Sequence, residues 1–209
     1  MNERIGVFGG TFDPIHVGHL AAAVNVRHSL GLDRLLMVVA NVPWQKVDTR
    51  SVSPAADRLA MVEAAVDGIP GLEVSALEVE RGGASYTADT LAELEVRHRG
   101  AELFLVVGSD VAPALGTWER IDEVRKRCVL VVVARPGSPD YRATGWRTER
   151  VEIPALDISS TDLRQRVADG RPLDFLVTPP VIRVIRSRGL YSGHADERRR
   201  ELSGDTGTS

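Results

Sequence analysis

The segment Gly9-Gly10-Thr11-Phe12-Asp13-Pro14-Ile15-His16-Val17-Gly18-His19 carries residue types and spacings that suit a nucleotide phosphate. Glycines let backbone N–H groups approach phosphate oxygens closely. His16 and His19 stand three apart, so at a helix start they share one face. Two imidazoles there are placed to stabilise charge on a reacting phosphoryl group, and the helix N-terminus adds a partial positive charge. No Walker lysine follows the glycines, so this is not a P-loop. The Gly-x-Gly-x-x-Gly fingerprint is also missing here, so a hydride-transfer fold is not indicated. A Gly-Gly turn after a strand, or one histidine near a helix start, is usually structural. The combination points to phosphate.

A second group is Ile158-Ser159-Ser160-Thr161-Asp162-Leu163-Arg164. Ser159 with Asp162 fits a capping-box-like helix start, and alone that reading suffices. A capped start with free hydroxyls and an arginine in its first turn is also an anion site. A third group, Gly108-Ser109-Asp110, follows the apolar run Leu103–Val107. A carboxylate at a strand's carboxyl end either accepts from ribose hydroxyls or caps a helix, and both readings stay open. Trp118 follows, suited to stack on a planar ring or simply to pack. In Ser85-Tyr86-Thr87-Ala88-Asp89-Thr90-Leu91, Thr87 is a natural cap for the next helix.

These groups must be held by strands and helices. Apolar runs predict strands at Arg4–Phe8, Arg34–Ala40, Leu72–Leu77, Leu103–Val107 and Val129–Ala134, with a weaker one at Val151–Ile153. Helical periodicity predicts helices at Val17–Leu30, Pro54–Val66, Ala88–His98, Glu119–Lys126, Thr161–Ala168 and Pro180–Arg188. The central strands are apolar on both faces, as in a parallel sheet covered on both sides. The alternation predicts an α/β, Rossmann-like, doubly wound parallel sheet in a single domain, 1–191. Ligands of such sheets bind beyond the carboxyl ends of the strands. That rule gathers the loops Gly9–His19, Asn41–Ser53 and Gly108–Trp118 in one place. Residues 192–209 read as a polar, flexible tail.

The His-x-Gly-His box after a first strand resembles the signature of the nucleotidylyltransferase superfamily. The resemblance implies that His16 and His19 contact nucleoside triphosphate phosphates as the catalytic pair, beside Gly9, Gly10, Thr11 and Phe12. It implies that Ser159, Ser160, Thr161 and Arg164, a Ser-Ser-Thr-x-x-Arg element, meet the triphosphate from the far side. Gly-Ser-Asp with a downstream tryptophan, Tyr-Thr-x-Asp-Thr-Leu, and Val184-Ile185-Arg186-Ser187-Arg188-Gly189-Leu190-Tyr191 narrow the likeness. Together they resemble bacterial nicotinate-mononucleotide adenylyltransferases. That family implies ATP contacts for Gly108 and Asp110, and mononucleotide contacts for Ser85, Tyr86, Thr87 and Trp118. It implies transfer of AMP from ATP to nicotinate mononucleotide, with Mg2+ bound through the ATP phosphates rather than by a protein metal site.

There is one departure. Where that family often has Pro-His-Lys, this chain has Pro43-Trp44-Gln45-Lys46. Lys46 still serves as a point charge for a phosphate of ATP, whereas Gln45 carries none. Two alternatives are another adenylyltransferase of the superfamily, such as phosphopantetheine adenylyltransferase, and a non-catalytic nucleotide-binding regulator. The first family is shorter and lacks the Tyr-Thr segment. The second would not need both boxes.

Lys+Arg is 26 against Asp+Glu 29, a balance that favours no nucleic-acid partner. The longest apolar run, Cys128–Ala134, is far too short to cross a membrane. Cys128 is the one cysteine, so it forms no internal disulfide, and it reads as a buried small hydrophobe. Met1-Asn2-Glu3-Arg4 leads straight into a strand without a signal peptide, so a cytoplasmic location is expected. The oligomeric state stays open, a homo-oligomer included.

Overall fold

The structure, a computed structural model, describes residues 2–43, 52–134 and 144–192. Gln45, Lys46 and the tail beyond Ser192 lie outside these residues. The aliphatic runs form strands β1 (Arg4–Gly10), β2 (Arg34–Val39), β3 (Leu72–Ser75), β4 (Glu102–Gly108), β5 (Cys128–Ala134) and β6 (Thr148–Glu152). They make one six-stranded sheet in the order β3-β2-β1-β4-β5-β6, and every pairing is parallel.

Period-two alternation divides the core between the two faces. In β4, Phe104 and Val106 join one cluster, while Leu103, Leu105 and Val107 join the other. Helices α1 (Val17–Leu30), α2 (Ala55–Val66), α6 (Ser160–Ala168) and α7 (Pro179–Ser187) cover the first cluster through Val26, Met61, Leu163 and Ile182. Helices α3 (Leu77–Arg81), α4 (Thr87–Arg97) and α5 (Ile121–Arg127) cover the second through Leu77, Leu91 and Val124. This is the doubly wound fold expected from the sequence. Strand order reverses between β1 and β4, so the crevice of such a sheet opens where Gly10 and Gly108 end these two strands.

Local differences have local causes. The expected strand Leu72–Leu77 stops at Ser75, and Leu77 begins α3, a short helix absent from the sequence reading. Leu77 is 2% exposed, so its apolar character serves helix packing rather than a strand. Thr87 does not cap α4, because Tyr86 takes the cap position and Thr87 is the first helical residue. Between β4 and α5 the loop contains a 3-10 turn at Ala112–Thr117, and α5 begins at Ile121 rather than Glu119. Cys128 is buried, donates to the Val124 carbonyl at 3.2 Å, and has its thiol pushed up to about 12 by burial. Among the described residues no helix is long and apolar enough to cross a membrane.

Candidate active site

Strand β1 delivers Gly9 and Gly10 to the crevice, and the chain then turns through Thr11–Ile15 into α1. A Cβ on Gly9 would meet nothing within 4 Å, so the face of this strand end stays open. A Cβ on Gly10 would stand 2.7 Å from the Phe12 ring, which closes over the strand end at φ 49 and is 3% exposed. Phe12 packs edge-on against His19, with ring centroids 5.1 Å apart.

The two histidines form one unit. His16 is the N-cap of α1, and His19 lies one turn on. Their rings stack with centroids 3.7 Å apart. The backbone N–H of His16 donates to Nδ1 of His19 at 3.3 Å. That bond leaves Nε2 as the donor nitrogen of His19. The glycine between them has a steric reason: a Cβ on Gly18 would come to 3.0 Å from Nδ1 of His16. No acidic side chain occupies the first turn of α1, and its first N–H, that of Val17, donates to the Leu176 carbonyl at 3.0 Å.

The second box is latched to the first. Ser159 caps α6 by accepting the Asp162 N–H at 3.1 Å. Ser160 donates its hydroxyl to the Pro14 carbonyl at 2.9 Å. Arg164 donates to the Asp13 carbonyl at 2.7 Å and to the Thr161 hydroxyl at 3.1 Å. The capping role expected for Ser159 is therefore real. The neighbouring hydroxyls and the arginine also bring a second helix N-terminus against the first loop. Two positive helix ends thus converge on the mouth of β1.

A buried polar network behind the loop escaped the sequence reading. Arg58 is 1% exposed, and its guanidinium donates to the carbonyls of Thr11 (2.9 Å), Ala40 (2.6 Å), Asn41 (2.7 Å) and Ser53 (2.8 Å). Asp13, also 1% exposed, accepts the Tyr191 hydroxyl at 2.7 Å and the Ser53 N–H at 3.4 Å. Burial holds the Arg58 guanidinium below its ordinary value, with Asp13 opposing that shift. Burial and then the Asp13 carboxylate push the Tyr191 phenol well above the usual tyrosine range. One signal for Arg58 was present: it stands in the buried stripe of α2 with Met61, Val62 and Ala65, where an aliphatic residue is expected.

The network continues to the other side of the crevice. Asn41, held by Arg58, donates its N–H to the Ser85 hydroxyl at 2.8 Å. Ser85 in turn donates its N–H to the Val42 carbonyl at 3.1 Å. Hydrogen bonds therefore run from Thr11 through Arg58 and Asn41 to Ser85, next to Tyr86 and Thr87 at the start of α4. Asp110 is exposed after β4, and Gly108 leaves room for its carboxylate, which a Cβ there would strike. Trp118 is half-buried against the second cluster. Among the described residues no group of His, Cys, Asp and Glu side chains is arranged to hold a metal ion. The side chains at the loop present mainly N–H and guanidinium donors, which fit phosphate oxygens.

The cytidylyltransferase-like family profile matches residues 7–166. The protein named probable nicotinate-nucleotide adenylyltransferase in Saccharopolyspora erythraea is 43% identical over 199 residues, covering 93% of this chain and 92% of that protein. The protein of the same name in Exiguobacterium sibiricum is 42% identical over 189 residues, covering 90% and 99%. Among solved structures, Plasmodium falciparum nicotinic acid mononucleotide adenylyltransferase complexed with NaAD has the same fold. It superposes with a TM-score of 0.75 at 18% identity, covering 91% of this chain and 98% of that one.

Proposed function

We propose a reaction from the premise that this chain belongs to the cytidylyltransferase-like family and, within it, to the nicotinate-nucleotide adenylyltransferases. It moves AMP from ATP to nicotinate mononucleotide, giving deamido-NAD and pyrophosphate. A phosphate oxygen of the mononucleotide forms the new bond to the α-phosphorus of ATP. The bond from that phosphorus to the β-phosphate bridge oxygen breaks, and its electron pair leaves with pyrophosphate. The attacking oxygen is already anionic, so neither a general base nor a covalent enzyme intermediate is needed. What the protein supplies is in-line placement and neutralisation of growing charge.

The observation that carries this reading is the convergence of two helix N-termini on the Gly9–His16 loop. His16 and His19 stand at one, and Ser159–Arg164 at the other. In this reading His16 and His19 are the catalytic donors to the phosphates. Gly9, Gly10, Thr11 and Phe12 shape the ATP side. Ser159, Ser160, Thr161 and Arg164 carry the triphosphate, and Lys46 adds a charge. Gly108 and Asp110 serve the ribose. Ser85, Tyr86, Thr87 and Trp118 take the mononucleotide. We treat Mg2+ as part of the ATP substrate, held by phosphate oxygens and water, where it neutralises phosphate charge. We place the reaction in the cytoplasm, within the 1–191 domain.

The test is pyrophosphate release with ATP and a panel of acceptors, with the dinucleotide identified. Nicotinate mononucleotide should be used better than its amide by roughly tenfold to a hundredfold, since a donor left unpaired against the amide costs about 1–3 kcal/mol. Equal use of acid and amide would overturn the acceptor assignment. Release with neither would overturn the reaction.

A further inference from the structure

Helix α4 starts at Tyr86 and Thr87, and the Gly108–Trp118 loop ends at the indole. These are the two elements that take the mononucleotide in the reading above. Ala88 and Leu91 of α4 share the second core cluster with Ala112 and Leu115 of the loop, and an ion pair ties α4 to the residue two beyond the indole: Nη2 of Arg120 lies 2.6 Å from Oδ1 of Asp89. We propose that this ion pair is a brace that sets the separation of Trp118 from the α4 start, making Asp89 and Arg120 positioning residues for the acceptor. The inference rests on that reading of the acceptor site.

Three observations support a positioning role over a merely stabilising one. The two side chains are 38% and 41% exposed, and exposed ion pairs contribute little to folding. Asp89 is the acidic residue of the first turn of α4, where the Tyr86 side chain makes no cap hydrogen bond. Its carboxylate turns outward to Arg120. Arg120 itself sits at φ 51 as the N-cap of α5, a left-handed position that L residues other than glycine, asparagine and aspartate rarely occupy.

Trp118 shows what the brace would have to hold. Its indole Nε1 is buried and has no hydrogen-bond partner among the described residues. No polar contact of its own therefore orients the ring. Its orientation depends on packing against the second cluster and on the backbone that leads from it to Arg120 two residues on.

The experiment is steady-state kinetics on the full chain with each substrate varied, for Arg120→Ala, Arg120→Gly, Arg120→Lys and Asp89→Asn. Glycine tolerates the left-handed backbone, so Arg120→Gly removes the guanidinium without strain. The expected result is a rise of about tenfold in the Michaelis constant for nicotinate mononucleotide in the alanine, glycine and asparagine variants, because small misplacements of positioning groups have large effects. The constant for ATP should stay within about twofold, and Arg120→Lys should recover most of the loss. The double variant Asp89→Asn/Arg120→Ala should be no worse than either single, since the two act as one contact. Parental mononucleotide kinetics in the alanine, glycine and asparagine variants would overturn the brace, as would equal losses for both substrates. A parent protein inactive toward nicotinate mononucleotide would instead overturn the functional reading beneath it.

Discussion

Arg164 donates to the backbone carbonyl of Asp13 at 2.7 Å, across 151 positions of sequence. With the Ser160 hydroxyl on the Pro14 carbonyl, this bond makes one object of two boxes from opposite ends of the domain. The capping role of Ser159 and the ligand role proposed for Arg164 are therefore not rivals. The cap sets the helix end, and the arginine sets that end against the Gly9–His16 loop.

Arg164→Ala should consequently weaken ATP more than the mononucleotide. Hydrogen bonds from charged groups contribute about 1.5–3 kcal/mol, so the Michaelis constant for ATP should rise at least tenfold. Kinetics with ATP as the varied substrate measure this. A parental constant with parental turnover would assign Arg164 to the fold alone.

Gly18→Ala separates stability from activity. Alanine is the better helix former by about 0.5–1 kcal/mol, so thermal unfolding should not move to lower temperature. Its Cβ would nevertheless press on Nδ1 of His16 at 3.0 Å. Turnover should fall by about tenfold or more as the imidazole is displaced. A fully active variant would show that the His16 ring position is not critical.

Arg58→Ala removes a guanidinium that joins four backbone carbonyls, at Thr11, Ala40, Asn41 and Ser53. Leaving a buried carbonyl without its donor costs about 1–3 kcal/mol, and four lose theirs here. Urea unfolding followed by circular dichroism should show that loss. Arg58→Lys should recover only part, because an ammonium lacks the planar fork. An unchanged unfolding midpoint in either variant would contradict the clasp.

Tyr191→Phe should carry a pH signature. The Tyr191 phenol is held above its ordinary value of 10.0, first by burial and then by Asp13. Its neutral form therefore contributes stability that is whole below pH 10.0 and lost as pH rises from there. The sign follows because the unfolded chain releases the proton first. Replacing the hydroxyl leaves Asp13 short of a donor and should cost about 1–3 kcal/mol at neutral pH. Urea midpoints of parent and variant, compared from pH 7 upward, should approach each other in strong alkali. A difference that stays constant or grows would contradict the Tyr191–Asp13 bond.

Much of this arrangement was legible in the sequence. Strands such as Leu103–Val107 read as continuous apolar runs because both of their faces are buried, and the His16–His19 spacing needed only a helix start to bring the two rings together. The latch between Ser160 and Pro14 was not legible, because nothing local marks a hydroxyl and a carbonyl 146 positions apart as partners. Arg58 was hidden for another reason. An arginine in a helix reads as solvated, and only the loop carbonyls that surround it in three dimensions make burial tolerable. Helix α3 was lost because Leu77 follows a strand and continues its apolar run. Lys46 and the polar tail, both read from sequence, lie outside the described residues.

The most direct measurement is turnover of His16→Ala and His19→Ala at saturating ATP, Mg2+ and nicotinate mononucleotide, followed by pyrophosphate release. The two stacked imidazoles are read as donors to charge that grows in the transition state. Loss of one such donor lowers the rate by about 10²–10³. That fall, in variants whose unfolding midpoints match the parent, is the expected result. Near-parental turnover in both folded variants would contradict the assignment of this helix start as the catalytic centre.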